Sequence, residues 1–184
     1  MTFGPGQNNP RRLLCLIGFM GCGKTSVGRL LARQLGWHFV DLDECIERQT
    51  GLTISEIFAR EGEPAFRLVE HQVLAQAVGR ATENERATVL ALGGGTIAQP
   101  QNLELLRRAG CTLVWLHCPI EELLRRCAAV TNRPLFTSEA SFRQLYEERR
   151  PFYEQADYRV ESTSEPRAVV EQILSLGILE RARS

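Results

Sequence analysis

Apolar and polar positions along the chain follow two alternating periods. Nearly unbroken apolar runs at 12–17 (RLLCLI), 87–92 (ATVLAL) and 111–117 (CTLVWLH) predict strands buried on both faces. Shorter runs at 37–40 and 158–161 predict two more. Between the strands the apolar positions recur every three to four residues. Val27, Leu30, Leu31 and Leu35 share one face and predict a helix over 24–35, stopped by Gly36. The same period predicts helices over 43–50, 100–109, 119–129 (opened by Pro119), 139–155 and 166–176. A further helix over 53–79 opens on a Thr53/Glu56 capping box and is interrupted near Gly62 and Pro64. Strands alternating with helices predict an α/β fold around a parallel sheet, with ligands at the carboxyl ends of the strands.

The polar, Pro-broken stretch 130–138 predicts a loop, and 177–184 a frayed end. Residues 1–10 predict a flexible tail and 11–184 a single domain. The apolar stretch from Leu13 follows Arg11 and Arg12 as a leader's would, but it breaks at Gly18 with no small-residue cleavage site. No apolar run approaches the roughly 20 residues of a membrane span.

Composition then narrows the function classes. The 184 residues carry 22 basic and 22 acidic side chains, and this neutrality argues against a nucleic-acid partner held by bulk charge. All the basic residues but one are arginine, the exception being Lys24, and the aspartates are only Asp41, Asp43 and Asp157. The six cysteines show neither C-x-x-C nor zinc spacing, which predicts reduced thiols and a cytoplasmic protein. His38, His71 and His117 are scattered and predict no metal site, and Trp37 and Trp115 predict core positions.

The exceptional residues fall in chemically informative places. Gly18–Thr25 reads GFMGCGKT and fits G-x-x-x-x-G-K-[ST] directly after the first strand. Glycines let backbone N–H groups turn onto phosphate oxygens, the next helix adds its positive end, Lys24 a compact charge and Thr25 a Mg²⁺ ligand. A dinucleotide fingerprint competes through Gly21, Gly23 and Asp43, but Ser26 stands at its third glycine position and it leaves Lys24 without a role. Asp41 and Asp43 end the second strand. Read as extended chain they point the same way, toward the phosphate loop from a neighbouring strand, one near the Mg²⁺ shell and one as base. The third strand ends in Gly93–Gly95 with no aspartate of its own, which favours Asp41 as the metal's second partner.

The runs GFMGCGKT, FVDLDECIE, ISEIFAREGEPAFRLVE, LGGG, NRPLF and YEERRPFYEQAD together resemble the shikimate kinase family in order and spacing, from Arg11 onward. The resemblance implies a three-layer P-loop NTPase fold, nucleoside monophosphate kinase-like, with a five-stranded parallel sheet, a substrate-binding region at about 42–79 and a mobile lid at about 130–140. It implies Mg-ATP-dependent phosphorylation of the 3-hydroxyl of shikimate, on the route to chorismate and the aromatic amino acids. Gly21, Cys22, Gly23, Lys24, Thr25 and Ser26 resemble the ATP loop, with Thr25 and, through water, Asp41 at the metal. Asp43 is similar to the proposed base and holder of shikimate hydroxyls. Arg67, Arg149 and Gly94 resemble the carboxylate-binding set, Arg126 the adenine-stacking arginine, and Arg133 the lid arginine that closes on the phosphates. Independently, a small anionic acceptor needs a carboxylate clamp, and Glu70, three residues beyond Arg67, can brace its guanidinium. By spacing alone Arg150 and Arg125 compete with their neighbours Arg149 and Arg126. Cys22 departs from the usual small residue and could expose a thiol near phosphate. Small-molecule substrates only, no nucleic acid or membrane, and a monomer are expected. A gluconate-type kinase and a catalytically silent ligand-sensing module are the alternatives.

Overall fold

The computed structural model describes residues 12–128 and 138–179. The tail at 1–10, the frayed end beyond residue 179, most of the lid at 130–140, and Arg133 lie outside them. The strands are β1 (Leu13–Ile17), β2 (His38–Asp41), β3 (Thr88–Ala91), β4 (Thr112–His117) and β5 (Tyr158–Glu161). They form one parallel sheet in the order β2-β3-β1-β4-β5. All of β1 and β3 is buried, and so is β4 up to Leu116, so both faces of the sheet centre are covered, as their apolar runs predicted. The edge strands β2 and β5 are only partly covered.

The helices are α1 (Lys24–Leu35), α2 (Leu42–Thr50), α3 (Ile54–Glu83), α4 (Pro100–Arg108), α5 (Ile120–Ala128), α6 (Glu139–Tyr153) and α7 (Pro166–Ser175). Gly36, in the left-handed region at φ 69°, closes α1. Thr53 and Glu56 form the expected capping box at the start of α3. Gly62, at φ 80° and ψ 174°, breaks α3 two residues before Pro64, so the predicted interruption is real. Helix α3 continues four residues beyond the predicted end at 79, and α6 stops two short of 155. A 3₁₀ turn at Thr96–Ala98, directly after the glycine triad, was not anticipated. Trp37 and Trp115 are buried in the core as expected.

One expected adjacency is wrong. Strand β3 lies between β2 and β1, so the two aspartates do not approach the phosphate loop from the neighbouring strand. The carboxyl ends of β1, β2 and β3 still open on the same side of the sheet, which brings the loop, the aspartates and the glycines together.

Candidate active site

The phosphate loop leaves the most deeply buried strand and enters α1 without a side-chain cap. Gly23 is the N-cap residue, at φ 95°, and the first turn holds no acid, so nothing offsets the helix's positive end. Lys24 Nζ folds back over the loop and donates to the carbonyls of Gly18 (2.8 Å) and Phe19 (3.0 Å). The loop's outer side is fastened by Ser162 Oγ, which donates to Cys22 O at 2.7 Å. Phe19 is buried and packs edge-on against Phe142 and Tyr146 of α6. Cys22 is 1% exposed and its Sγ lies 3.8 Å from Lys24 Nζ, so the thiol is buried beneath the loop rather than presented to solvent.

Two clefts flank the loop. One of about 330 Å³ is lined by Cys22, Ser26, Arg126, Thr163, Ser164 and Pro166. Arg125 and Arg126 both line this cleft and both pair with Glu122. Arg126, held at Nε at 2.7 Å, is the more enclosed of the two, with 25% of its side chain exposed against 73% for Arg125. The other, of about 280 Å³, is lined by Met20, Lys24, Thr25, Asp41, Asp43 and Leu92.

Asp41 and Asp43 share that second cleft by a route different from the extended one expected. Asp41 is the N-cap of α2, and its Oδ1 accepts from the N–H groups of Asp43 (3.1 Å) and Glu44 (3.4 Å). Its Oδ2 accepts from Thr25 Oγ1 at 2.6 Å. Asp43 stands in the first turn of α2, beside Gly93, where an added Cβ would lie 3.0 Å from Asp43 Oδ1. Asp43 is an exposed residue, but the cleft walls around its carboxyl strip away part of its water. Burial pushes its pKa up to about 6, helped by the nearby charges of Asp41, Glu70 and Glu47 and opposed by Lys24. The carboxylate is thus a stronger base than a solvated aspartate.

On the far side of the glycine triad, two guanidinium groups converge. A Cβ on Gly95 would lie 2.7 Å from Arg67 Nη2 and 3.0 Å from Arg149 Nη2, so a glycine is needed there for both to approach. Arg67 Nη1 donates to the fully buried Glu70 at 2.8 Å, whose other oxygen accepts from Thr96 Oγ1 at 2.7 Å. Glu63 holds the outer edge of the same guanidinium. Burial pulls the Arg67 pKa down, but the charge and hydrogen bonds of Glu70 and Glu63 outweigh it and the net shift is upward. Arg149 is 8% exposed and shifted downward, by burial first and by its like-charged neighbour Arg67. Arg150 is instead exposed and pairs with Glu147 and Glu154, which settles which of the two faces inward. A buried cation beside a half-buried one, the first with no carboxylate ion pair among the described residues, makes an anion site.

Thus Gly21, Gly23, Lys24, Thr25, Ser26, Asp41 and Asp43 line one cleft and Cys22 and Arg126 the other, while Arg67, Gly94 and Arg149 meet at the glycine triad next to Asp43. Thr96 and Tyr153 were missed. The signals available were the hydroxyl directly after the triad and the i,i+4 spacing of Tyr153 from Arg149. Among the described residues no group of three or more His, Cys, Asp or Glu could hold a metal. The donor set at Thr25 and Asp41 is hard oxygen and small, which suits Mg²⁺ carried in on phosphates. No helix among the described residues is long and apolar enough to cross a membrane.

Comparison with known proteins agrees with the geometry. A family model described as shikimate kinase matches residues 20–176. A shikimate kinase of Synechococcus elongatus is 42% identical over 168 residues, covering 89% of this chain and 85% of the relative. The structure of shikimate kinase from Acinetobacter baumannii in complex with shikimate is 41% identical, covers 90% of this chain and 92% of that one, and superposes with a TM-score of 0.82. A gluconokinase from Sinorhizobium meliloti shares the fold alone, at 18% identity and a TM-score of 0.57, covering 92% and 93%.

Proposed function

The chain belongs to the shikimate kinase family, and on that premise we propose that it transfers the γ-phosphoryl group of ATP to the 3-hydroxyl of shikimate, a step toward chorismate. The observation that carries this reading is the anion site built by Arg67 and Arg149 across the glycine triad from Asp43 and Lys24. A carboxylate held there by two planar forks, with the Gly94 backbone alongside, sets the distance at which the acceptor hydroxyl meets Asp43. Asp43 takes the hydroxyl proton as the oxygen–phosphorus bond forms and the bond from the γ-phosphorus to its bridging oxygen breaks, leaving ADP. Lys24 and the open end of α1 carry the phosphate charge. Thr25 and, through water, Asp41 would hold Mg²⁺, which supplies charge neutralisation on the phosphates when bound. Arg126 would stack on the adenine in the 330 Å³ cleft. Arg133 is assigned to closure on the phosphates from the resemblance. All these groups come from one chain, so a monomer suffices.

The test is ADP release measured with ATP and Mg²⁺, with shikimate, with gluconate and with no acceptor. Turnover should require shikimate. Turnover with gluconate instead would establish the sugar-acid reading, and ADP release indifferent to the acceptor would overturn the kinase assignment.

Glu70 contributes through Arg67. Glu70→Gln keeps the shape but removes the buried charge, so the inner contact of Arg67 becomes a weaker one to a neutral amide oxygen while Glu63 still holds its exposed edge. A hydrogen bond to a charged group contributes about 1.5–3 kcal/mol, so KM for shikimate should rise at least about tenfold. KM for ATP should stay within about twofold, and steady-state kinetics with each substrate varied reads both.

A further inference from the structure

The two guanidinium groups of Arg67 and Arg149 raise a problem that the site must solve when no acceptor is bound. Arg149 is buried, carries a full charge and lies beside another cation. Such a pair attracts whatever oxygen can reach it. The nearest supply is the backbone of Gly93–Gly95, against which both side chains already rest. A Cβ on Gly94 would be 3.2 Å from Arg149 Nη1, and one on Gly95 closer still to Arg67. Three consecutive glycines give this segment little steric resistance to peptide rotation. A carbonyl that swung onto the guanidinium pair would occupy the place meant for a carboxylate.

The carbonyls of Gly93 and Gly95 accept from the N–H groups of Thr96 and Ala98, and the carbonyl of Gly94 accepts from a side chain. Tyr153 Oη donates to Gly94 O at 2.5 Å. The tyrosine is 1% exposed, four residues beyond Arg149 on the same helix, and its ring packs against Trp115. Its hydroxyl is also hydrogen-bonded with the Arg149 guanidinium, so one oxygen ties the cation and the carbonyl to fixed positions. Burial raises the phenol's pKa well above its ordinary value, which keeps the donor proton in place throughout the working pH range. The peptide after Gly94 is trans, so fixing its carbonyl toward Tyr153 also turns the Gly95 N–H the opposite way.

We propose that Tyr153 is a positioning residue for acceptor binding: its hydroxyl holds the Gly94 carbonyl out of the Arg67–Arg149 clamp, so that the chain's own backbone does not compete with the substrate carboxylate. This rests on the reading of that clamp as the shikimate carboxylate site. Tyr153 does not touch the reacting atoms. Its effect is on the fraction of molecules whose clamp is open, and that fraction scales the apparent affinity for the acceptor.

The experiment starts from wild-type turnover with shikimate. Its absence would end the proposed function and, with it, the carboxylate reading on which this inference rests. With turnover in hand, the further measurements fail or succeed on Tyr153 alone. Tyr153→Phe removes one oxygen and keeps the buried ring. KM for shikimate, and its Kd by titration calorimetry, should rise about tenfold, the scale of one hydrogen bond or slightly more. KM for ATP and kcat at saturating shikimate should stay within about twofold, because an open clamp performs the chemistry as before. A parallel titration with an uncharged shikimate ester should show no change between the two proteins, since an ester does not compete for the clamp as a carboxylate does. An equal loss for acid and ester, or a loss shared by ATP, would show a general packing role and overturn the proposal. So would an unchanged KM for shikimate. Replacing Tyr153 by 4-aminophenylalanine, which keeps the ring but offers a weaker donor, covers the case in which the Phe variant fails to fold. It should raise KM for shikimate and leave KM for ATP unchanged, and no change overturns the proposal equally.

Discussion

Asp43→Asn is expected to lower kcat by about a hundredfold or more while ATP binding is nearly retained, the usual scale for losing a general base. The substitution keeps the shape of a side chain beside Gly93 and removes the acceptor of the hydroxyl proton. The wild-type pH profile identifies the same group. Its pKa in the folded protein is about 6, against an ordinary 3.8. The reactive form is the carboxylate, so kcat/KM should fall about tenfold per unit below pH 6, and the variant's small residual rate should lack that limb. Stability should move in the opposite direction. A carboxyl with a raised folded-state pKa binds protons more readily in the native state, so native stability grows as pH falls from about 6 toward 4 and is diminished above that window. Asparagine removes the penalty, and the variant should melt higher than wild type at pH 7 and lose this advantage near pH 4. A thermal melt at both pH values, beside the kinetics, separates a lost base from a damaged fold. Full turnover in the variant would remove Asp43 from its role.

Lys24→Arg should be nearly as damaging, although it conserves charge. The ammonium sits within 3.0 Å of two loop carbonyls in a turn built of close backbone approaches. A guanidinium is planar, wider and bonded in a fixed fork, and it does not fit where a compact charge with three rotatable donors does. Losing a preorganised donor to the transferring phosphoryl group costs about 3–4 kcal/mol, so kcat/KM for ATP should drop at least a hundredfold. Circular dichroism should be unchanged, because no core residue is altered. The arginine preference elsewhere sharpens the test: were arginine tolerated here, this position would not need its exception. Wild-type activity in the variant would show the lysine to be incidental.

The phosphate-loop side of the cleft was legible almost residue by residue, because it is built from contiguous chain. A strand, a glycine loop and a helix follow one another, and Lys24 and Thr25 take their places from local geometry alone. Asp41 was legible as a partner of Thr25 but not in its manner. A carboxylate just before an apolar helical run is also an N-cap, and that local bond, rather than extended pairing, decides where Asp43 points. Sheet order was beyond local reading. Nothing in the pattern of β1 and β2 announces that β3 inserts between them, since parallel strands join through long crossovers and their neighbours are chosen by global packing. The acceptor half came partly from resemblance and partly from the Arg67–Glu70 spacing. Thr96 and Tyr153 stayed hidden because their partners are backbone or buried side chains 26 and 59 residues away. Arg149 could be told from Arg150 only once the helix face was known.

The lone lysine has a consequence for handling the molecule. Every other basic side chain in the chain is arginine, so Lys24 Nζ is its single side-chain amine. Acylating reagents, aldehydes and amine-directed crosslinkers, which ordinarily scatter over a protein surface, have one side-chain target here, and it lies in the phosphate loop. Labelling, immobilising or fixing the protein through side-chain amines therefore means modifying the phosphate loop. Conversely, on the proposed function a bound nucleotide would cover that target, so side-chain amine modification, counted apart from the α-amine, would report the unoccupied sites.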